Sequence, residues 1–177
     1  LTKMASEREA IDLSATAMAL ADVLKRAGAR FVLAESCTGG LASAALAGVP
    51  GISQWFCGSA VAYRPDAKSA WLQVPANVLE QHGAESAEAT RAMARGALQA
   101  IGEADWSGAI TGHLGPNAPV HRDGWIDIAV ARRLGESTEV VCERLLHLDA
   151  STRAARQIAA ARALLQLCHD TISAEQG

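Results

Sequence analysis

The chain contains no Cys-x-x-Cys pair, no basic run longer than Arg132-Arg133, and no stretch approaching the roughly 18 uninterrupted apolar residues of a membrane span. Cys37, Cys57, Cys142 and Cys168 are scattered, which removes zinc-finger and thioredoxin signatures and fits a reducing compartment. The net charge is −3, so a nucleic-acid backbone is not an expected partner. Neither is a membrane surface. Residues 1–9 lack the apolar core of a signal peptide, and a cytoplasmic location is expected. With 177 residues, half of them hydrophobic, a single domain over 1–177 can bury about 70% of its unfolded surface. It needs neither a disulfide nor a structural metal.

What is present is alanine, 38 residues of it, and alanine loses no side-chain entropy in a helix. Ser6 and Glu9 read as a capping box opening a helix to about residue 26. Residues 30–34 form a short apolar run between that helix and a glycine-rich turn at 35–40, the pattern of a buried parallel strand. A small-residue helix is expected over 38–47 and a second strand over 55–63. Pro65 suits the first turn of a short helix over 66–72, and Pro75 starts another that ends near His82-Gly83. Ser86 caps a crossover helix over 87–101, with Met93, Ala97 and Leu98 on one face. Strands follow at 107–111, 125–132 and 139–148, and a final helix at 152–172.

The first three strands are separated by helices, so they must be parallel with right-handed crossovers. The last three have no helix between them, so strand four must run antiparallel. The expected fold is α/β, a three-layer α/β/α sandwich around a mixed five-stranded sheet. Its ligand crevice should lie beyond the carboxyl ends of the parallel strands.

Three segments bring polar groups to that edge: Glu35 to Gly40 after strand one, Tyr63-Arg64 with Lys68 after strand two, and Thr111-Gly112 after strand three. Ser36 lies where a strand enters a helix, and Gly39-Gly40 should leave backbone N–H groups uncovered at the positive helix end. A phosphate or the oxyanion of an acyl-transfer intermediate could sit there. Each residue alone has a bland role: a helix cap, a packing tyrosine, a solvated lysine. Together they suit a serine nucleophile with a lysine base and tyrosine as proton relay, because Ser needs a base to attack an acyl carbon at neutral pH. Cys37 is a rival nucleophile with nothing in the sequence to activate it.

The segments Ala34-Glu35-Ser36-Cys37-Thr38-Gly39-Gly40, Val61-Ala62-Tyr63 to Lys68, Gln81 to Ser86, Met93 to Ala97 and Ile110-Thr111-Gly112 resemble the C-terminal domain of the competence/damage-inducible CinA family. The resemblance runs from about residue 10 to 170. It implies a three-layer α/β/α fold and, from stand-alone members, a nicotinamide-nucleotide amidase that converts nicotinamide mononucleotide to the acid and ammonia, with no cofactor or metal. It further implies Ser36 as nucleophile, with Tyr63 and Lys68 assisting proton transfer. Thr38, Gly39, Gly40, Thr111, Gly112, His113 and Arg156 would bind substrate, a small-molecule nucleotide. A homo-oligomer, a dimer as a first guess, is expected.

The chain departs from the family pattern twice. The family follows Thr-Gly with Ile-Ala-Gly-Pro and a glycine-rich loop, whereas residues 113–124 here are stiffer and carry His113 and His121. Ala150-Ser151-Thr152 replaces a Gly-Asp-Arg triplet, while Arg156 keeps the later arginine and Arg153 sits beside it. If the lost arginine holds the nucleotide phosphate, another amide becomes a candidate substrate. Two other readings compete with the amidase: a catalytically silent paralogue binding a nucleotide or a protein partner, and a metal-dependent hydrolase using His113, His121 and Asp123.

Overall fold

The computed structural model describes residues 2–176, with side chains from residue 12 onward. Helix α1 spans Thr2–Ala27. It starts one turn before Ser6, so Ser6 and Glu9 do not open it, and their side chains lie outside the described residues. Lys3, Met4 and Ala5 are good helix formers and carry the helix past that point. Strand β1 (Phe31–Glu35) leads through a tight turn to α2 (Leu41–Ala47), and β2 is Phe56–Val61. Helices α3 (Pro65–Leu72), α4 (Ala76–His82) and α5 (Ala87–Ala100) follow, then β3 (Trp106–Gly112), β4 (Trp125–Leu134), β5 (Ser137–His147) and α6 (Arg153–Ala174).

The sheet order is β2-β1-β3-β4-β5. Strand β1 pairs parallel with β2 and β3, and β4 pairs antiparallel with β3 and β5. The mixed sheet with an antiparallel fourth strand is therefore as the connection types require. The carboxyl ends of β1, β2, β3 and β5 all reach one edge.

Alternation along the strands divides the core in two. Phe31 and Leu33 of β1, with Ile110, Ile126 and Ile128, face α1, α2 and α6, whose Leu20, Leu24, Leu46, Leu164 and Leu165 are buried against them. On the other face the strands present small residues, Ala34, Ala109, Ala129 and Ala131, beneath Leu72, Met93 and Leu98. That alanine surface lets α5 lie close to the sheet. Close packing continues outward: a Cβ on Gly96 of α5 would stand 1.8 Å from the carbonyl oxygen of Leu72, so only glycine fits where α3 ends against α5.

Ser86 caps α5 through its hydroxyl, which accepts from the Ala89 amide at 3.1 Å, and Thr152 caps α6 by accepting from Ala155 at 3.2 Å. Both helices run back against the strand direction, so both begin at the carboxyl edge.

Candidate active site

The turn after β1 is organised by Glu35, which is fully buried. Its carboxylate accepts from the amides of Gly40 at 3.2 Å, Ala42 at 3.1 Å and Ser43 at 2.8 Å. Gly39 and Gly40 take φ of 63° and 95°, a left-handed path open to glycine that turns the chain around the carboxylate and delays α2 to Leu41. This corrects two sequence expectations. The helix does not start at Thr38, and its positive end is not open to an external anion, because Glu35 already fills it. Gly39 and Gly40 therefore belong to an internal cap. Thr38 is 2% exposed, and its hydroxyl has no partner among the described residues.

Above this turn lies a cavity of about 170 Å³, lined by Ser36, Tyr63, Glu85, Gly112, His113 and Arg153 together with Cys37 and loop residues 114–118. Ser36, Tyr63 and Gly112 come from the ends of β1, β2 and β3, so three adjacent parallel strands converge on one space. Glu85 arrives just before the α5 cap. Arg153 comes from the first turn of α6, where its guanidinium donates to the Tyr63 hydroxyl at 2.7 Å and to the Gly115 carbonyl.

Lys68 does not line the cavity. It is completely buried in α3, and its ammonium donates to the backbone carbonyl of Ala84. Burial pushes its pKa below the ordinary lysine range, with the nearby Glu85 and Cys37 opposing that shift. Thr111 is buried too, its hydroxyl 2.7 Å from that of Thr90, and it is outside the cavity lining. Cys37 is 5% exposed, and desolvation pushes its thiol up to about 12. A thiol held there is protonated at neutral pH and is a poor nucleophile.

A model of the CinA C-terminal domain matches residues 13–171. The chain belongs to this family. It is 45% identical over 122 residues to a CinA-like protein of Prochlorococcus marinus, covering 68% of this chain and 28% of that protein. A CinA-like protein of Geobacter metallireducens is 41% identical over 138 residues, covering 77% and 32%. The chain thus spans about a third or less of these relatives. Among solved structures it is similar to competence damage-inducible protein A from Klebsiella pneumoniae, with a TM-score of 0.82 and 27% identity over 91% of this chain and 97% of that one. The competence/damage inducible protein CihA from Agrobacterium tumefaciens gives 0.83 and 27% over 92% and 96%.

The two departures from the CinA pattern have visible structural consequences. The loop 113–124 is clamped at consecutive residues of opposite charge. Arg122 donates to Asp127 at 2.7 Å and to the Glu85 carbonyl at 2.8 Å, while Asp123 receives both guanidinium nitrogens of Arg156, at 2.8 and 3.1 Å. Arg156 holds Asp123 well below its ordinary range through that hydrogen bond. Arg156 is therefore paired with the loop and is not among the residues that line the cavity. Arg153 occupies the cavity instead.

His113 lines the cavity, whereas His121 is exposed and outside it. Among the described residues no group of three His, Cys, Asp or Glu side chains is placed to hold a metal ion, so His113, His121 and Asp123 do not form a ligand cluster. No helix among the described residues is long and apolar enough to cross a membrane.

Sequence reasoning noticed Arg153 without choosing it and passed over Glu85. A topological signal existed for both. The helices that begin at the carboxyl edge put their first turns and preceding residues beside the crevice.

Proposed function

We propose that this domain is an amidohydrolase of the nicotinamide-nucleotide amidase type, acting on nicotinamide mononucleotide or a related amide through Ser36. The observation that carries this reading is the convergence of Ser36 and Tyr63 on one cavity whose wall residues Glu85 and Cys37 lie near the buried amine of Lys68. Burial lowers the affinity of Lys68 for its proton, which suits an amine that must accept one near neutral pH. In the proposed cycle the Ser36 hydroxyl attacks the carboxamide carbon and its proton passes to Lys68. Tyr63, oriented by Arg153, delivers its proton to the amide nitrogen and is reprotonated by the Lys68 ammonium, so ammonia departs with both groups restored. Water then hydrolyses the acyl-enzyme ester, releasing the acid and regenerating Ser36.

Arg153 is also the cationic group in the cavity that a phosphate or carboxylate on the substrate would meet. The test is ammonia release from nicotinamide mononucleotide and a small amide panel, with and without chelator, by the wild type and Ser36→Ala. Turnover that is insensitive to chelator and absent in the variant is the expected result. Full activity in Ser36→Ala would remove Ser36 as nucleophile, and ligand binding with no turnover would favour the silent paralogue.

A further inference from the structure

Glu85 lines the cavity with Ser36, Tyr63, His113 and Arg153. Its segment is fixed through the backbone: Arg122 donates to the Glu85 carbonyl at 2.8 Å, and Lys68 donates to the carbonyl of Ala84. The Glu85 carboxylate itself makes no hydrogen bond or ion pair among the described residues. The other full charge on the cavity, Arg153, is engaged with Tyr63 and Gly115 rather than with Glu85. A cavity of about 170 Å³ loses most of its water when a ring enters. A carboxylate on its wall then becomes costly unless the ligand brings a positive charge or a donor.

The buried Lys68 ammonium, held on the Ala84 carbonyl, reaches Glu85 only through its field, so a neutral ring gives the carboxylate no donor of its own, and an anionic ring is repelled. The oxidised nicotinamide ring of a nucleotide is a pyridinium cation carrying the carboxamide on the same ring. The reduced dihydropyridine ring carries the same carboxamide with no charge.

We propose that Glu85 is a specificity-determining residue, selecting amides that bear a cationic group beside the scissile carboxamide, so that the pyridinium form is favoured over the reduced one. This deepens the amidase reading and rests on it. The carboxylate acts on the ring charge, while Arg153 remains available to an anionic substituent at the other end of the same ligand. Together they make the cavity electrically two-sided, matched to a zwitterionic nucleotide rather than to a simple anion.

The experiment measures kcat/KM for oxidised and reduced nicotinamide mononucleotide with the wild type, Glu85→Gln and Glu85→Asp. The quantity read is the oxidised-to-reduced ratio within each enzyme. Any effect of Glu85 on the protonation of Lys68, or on local structure, acts on both substrates and cancels, as does their difference in intrinsic reactivity. In Glu85→Gln the ratio should fall about tenfold, the size of one partly screened charge contact, while Glu85→Asp keeps part of it. A ratio unchanged by Glu85→Gln overturns the proposal even if overall activity drops. If the wild type hydrolyses neither form, the amidase reading fails, and calorimetric binding of the two forms decides the charge selection separately. An affinity ratio that falls in Glu85→Gln sustains it, and an unchanged ratio or no binding of either form overturns it.

Discussion

Arg153 and Tyr63, 90 residues apart in the chain, are joined by a 2.7 Å hydrogen bond in which the guanidinium donates to the phenolic oxygen. The bond ties the first turn of α6 to the end of β2. It leaves the phenolic proton free to point elsewhere, which is what a proton-delivering tyrosine requires. Tyr63 is half exposed, so without this tether its ring would sample several rotamers. Because both side chains act through one contact, their effects should not add. Tyr63→Phe and Arg153→Met should each lower kcat by about tenfold or more, and the double variant should be little worse than either single one. A double-mutant cycle on kcat checks this, and simple multiplication of the two losses would show that the residues act independently.

Ser36→Ala should lower turnover by about a thousandfold or more without loss of fold, since it removes one oxygen from a turn whose shape Glu35 sets. Cys37→Ala should keep most of the activity, because the neighbouring thiol, held up to about 12 by burial, supplies no thiolate at neutral pH. Rate measurements on both variants, with circular dichroism to confirm folding, separate the two candidate nucleophiles. Activity lost in the cysteine variant and kept in the serine variant would reverse the assignment.

Lys68 gives a pH dependence of definite sign. Its folded pKa lies below the ordinary 10.5, and only the neutral amine accepts a proton. Hence kcat/KM should rise with pH through that depressed value and then level off. Stability moves the same way. Between the folded value and 10.5 the unfolded chain holds more protons, so raising the pH favours the folded state. That contribution is complete above 10.5 and lost as pH falls through the folded value. Lys68→Met removes the buried charge, so the stability of the wild type relative to the variant should improve as pH rises. Urea titrations at several pH values measure the difference, and a gap independent of pH would mean that Lys68 titrates alike in both states.

Much of this architecture was legible because the sequence contrasts were steep. The apolar run Phe31 to Ala34, the cap Ser86, and the helix-free spacing from Trp106 to His147 dictate strand identity, the start of α5 and the antiparallel fourth strand. The convergence of Ser36 and Tyr63 followed from topology alone. Hydrogen-bond competition was not legible. The sequence placed two arginines three residues apart in the first turn of α6, and only packing shows that Arg156 pairs with Asp123 while Arg153 reaches Tyr63. Glu35 was hidden for the same reason. At the end of a strand it reads as an edge residue, yet three amides of the following turn neutralise the cost of burying it.

That cap predicts a stability effect. Glu35→Ala would leave the amides of Gly40, Ala42 and Ser43 without their acceptor inside the protein, and it would open a void in a fully buried position. The expected cost is about 3 kcal/mol, with loss of activity because the Ser36 turn loses its frame. Glu35→Gln keeps the shape and one acceptor, so it should cost less. Denaturant unfolding of the two variants orders them, and an alanine variant as stable as the wild type would show that the turn holds itself.

The loop over the cavity separates two histidines that the sequence treats alike. His113 follows β3 directly and lines the cavity, its amide donating to the Trp125 carbonyl at 3.0 Å. His121 is exposed beside Val120, which is 97% exposed at the loop tip. The end of the loop that carries His121 is fastened at the next two residues, by Arg122 to Asp127 and by Asp123 to Arg156, so His121 cannot swing to the cavity without breaking ion pairs. His113→Ala should therefore change the relative rates on different amides several-fold, while His121→Ala leaves them unchanged. Neither should alter stability by more than about 0.5 to 1 kcal/mol, because neither side chain is buried in the core. Competition assays with mixed amide substrates read the ratios directly. A shift caused by His121→Ala and not by His113→Ala would mean that the loop closes over ligand along a different path.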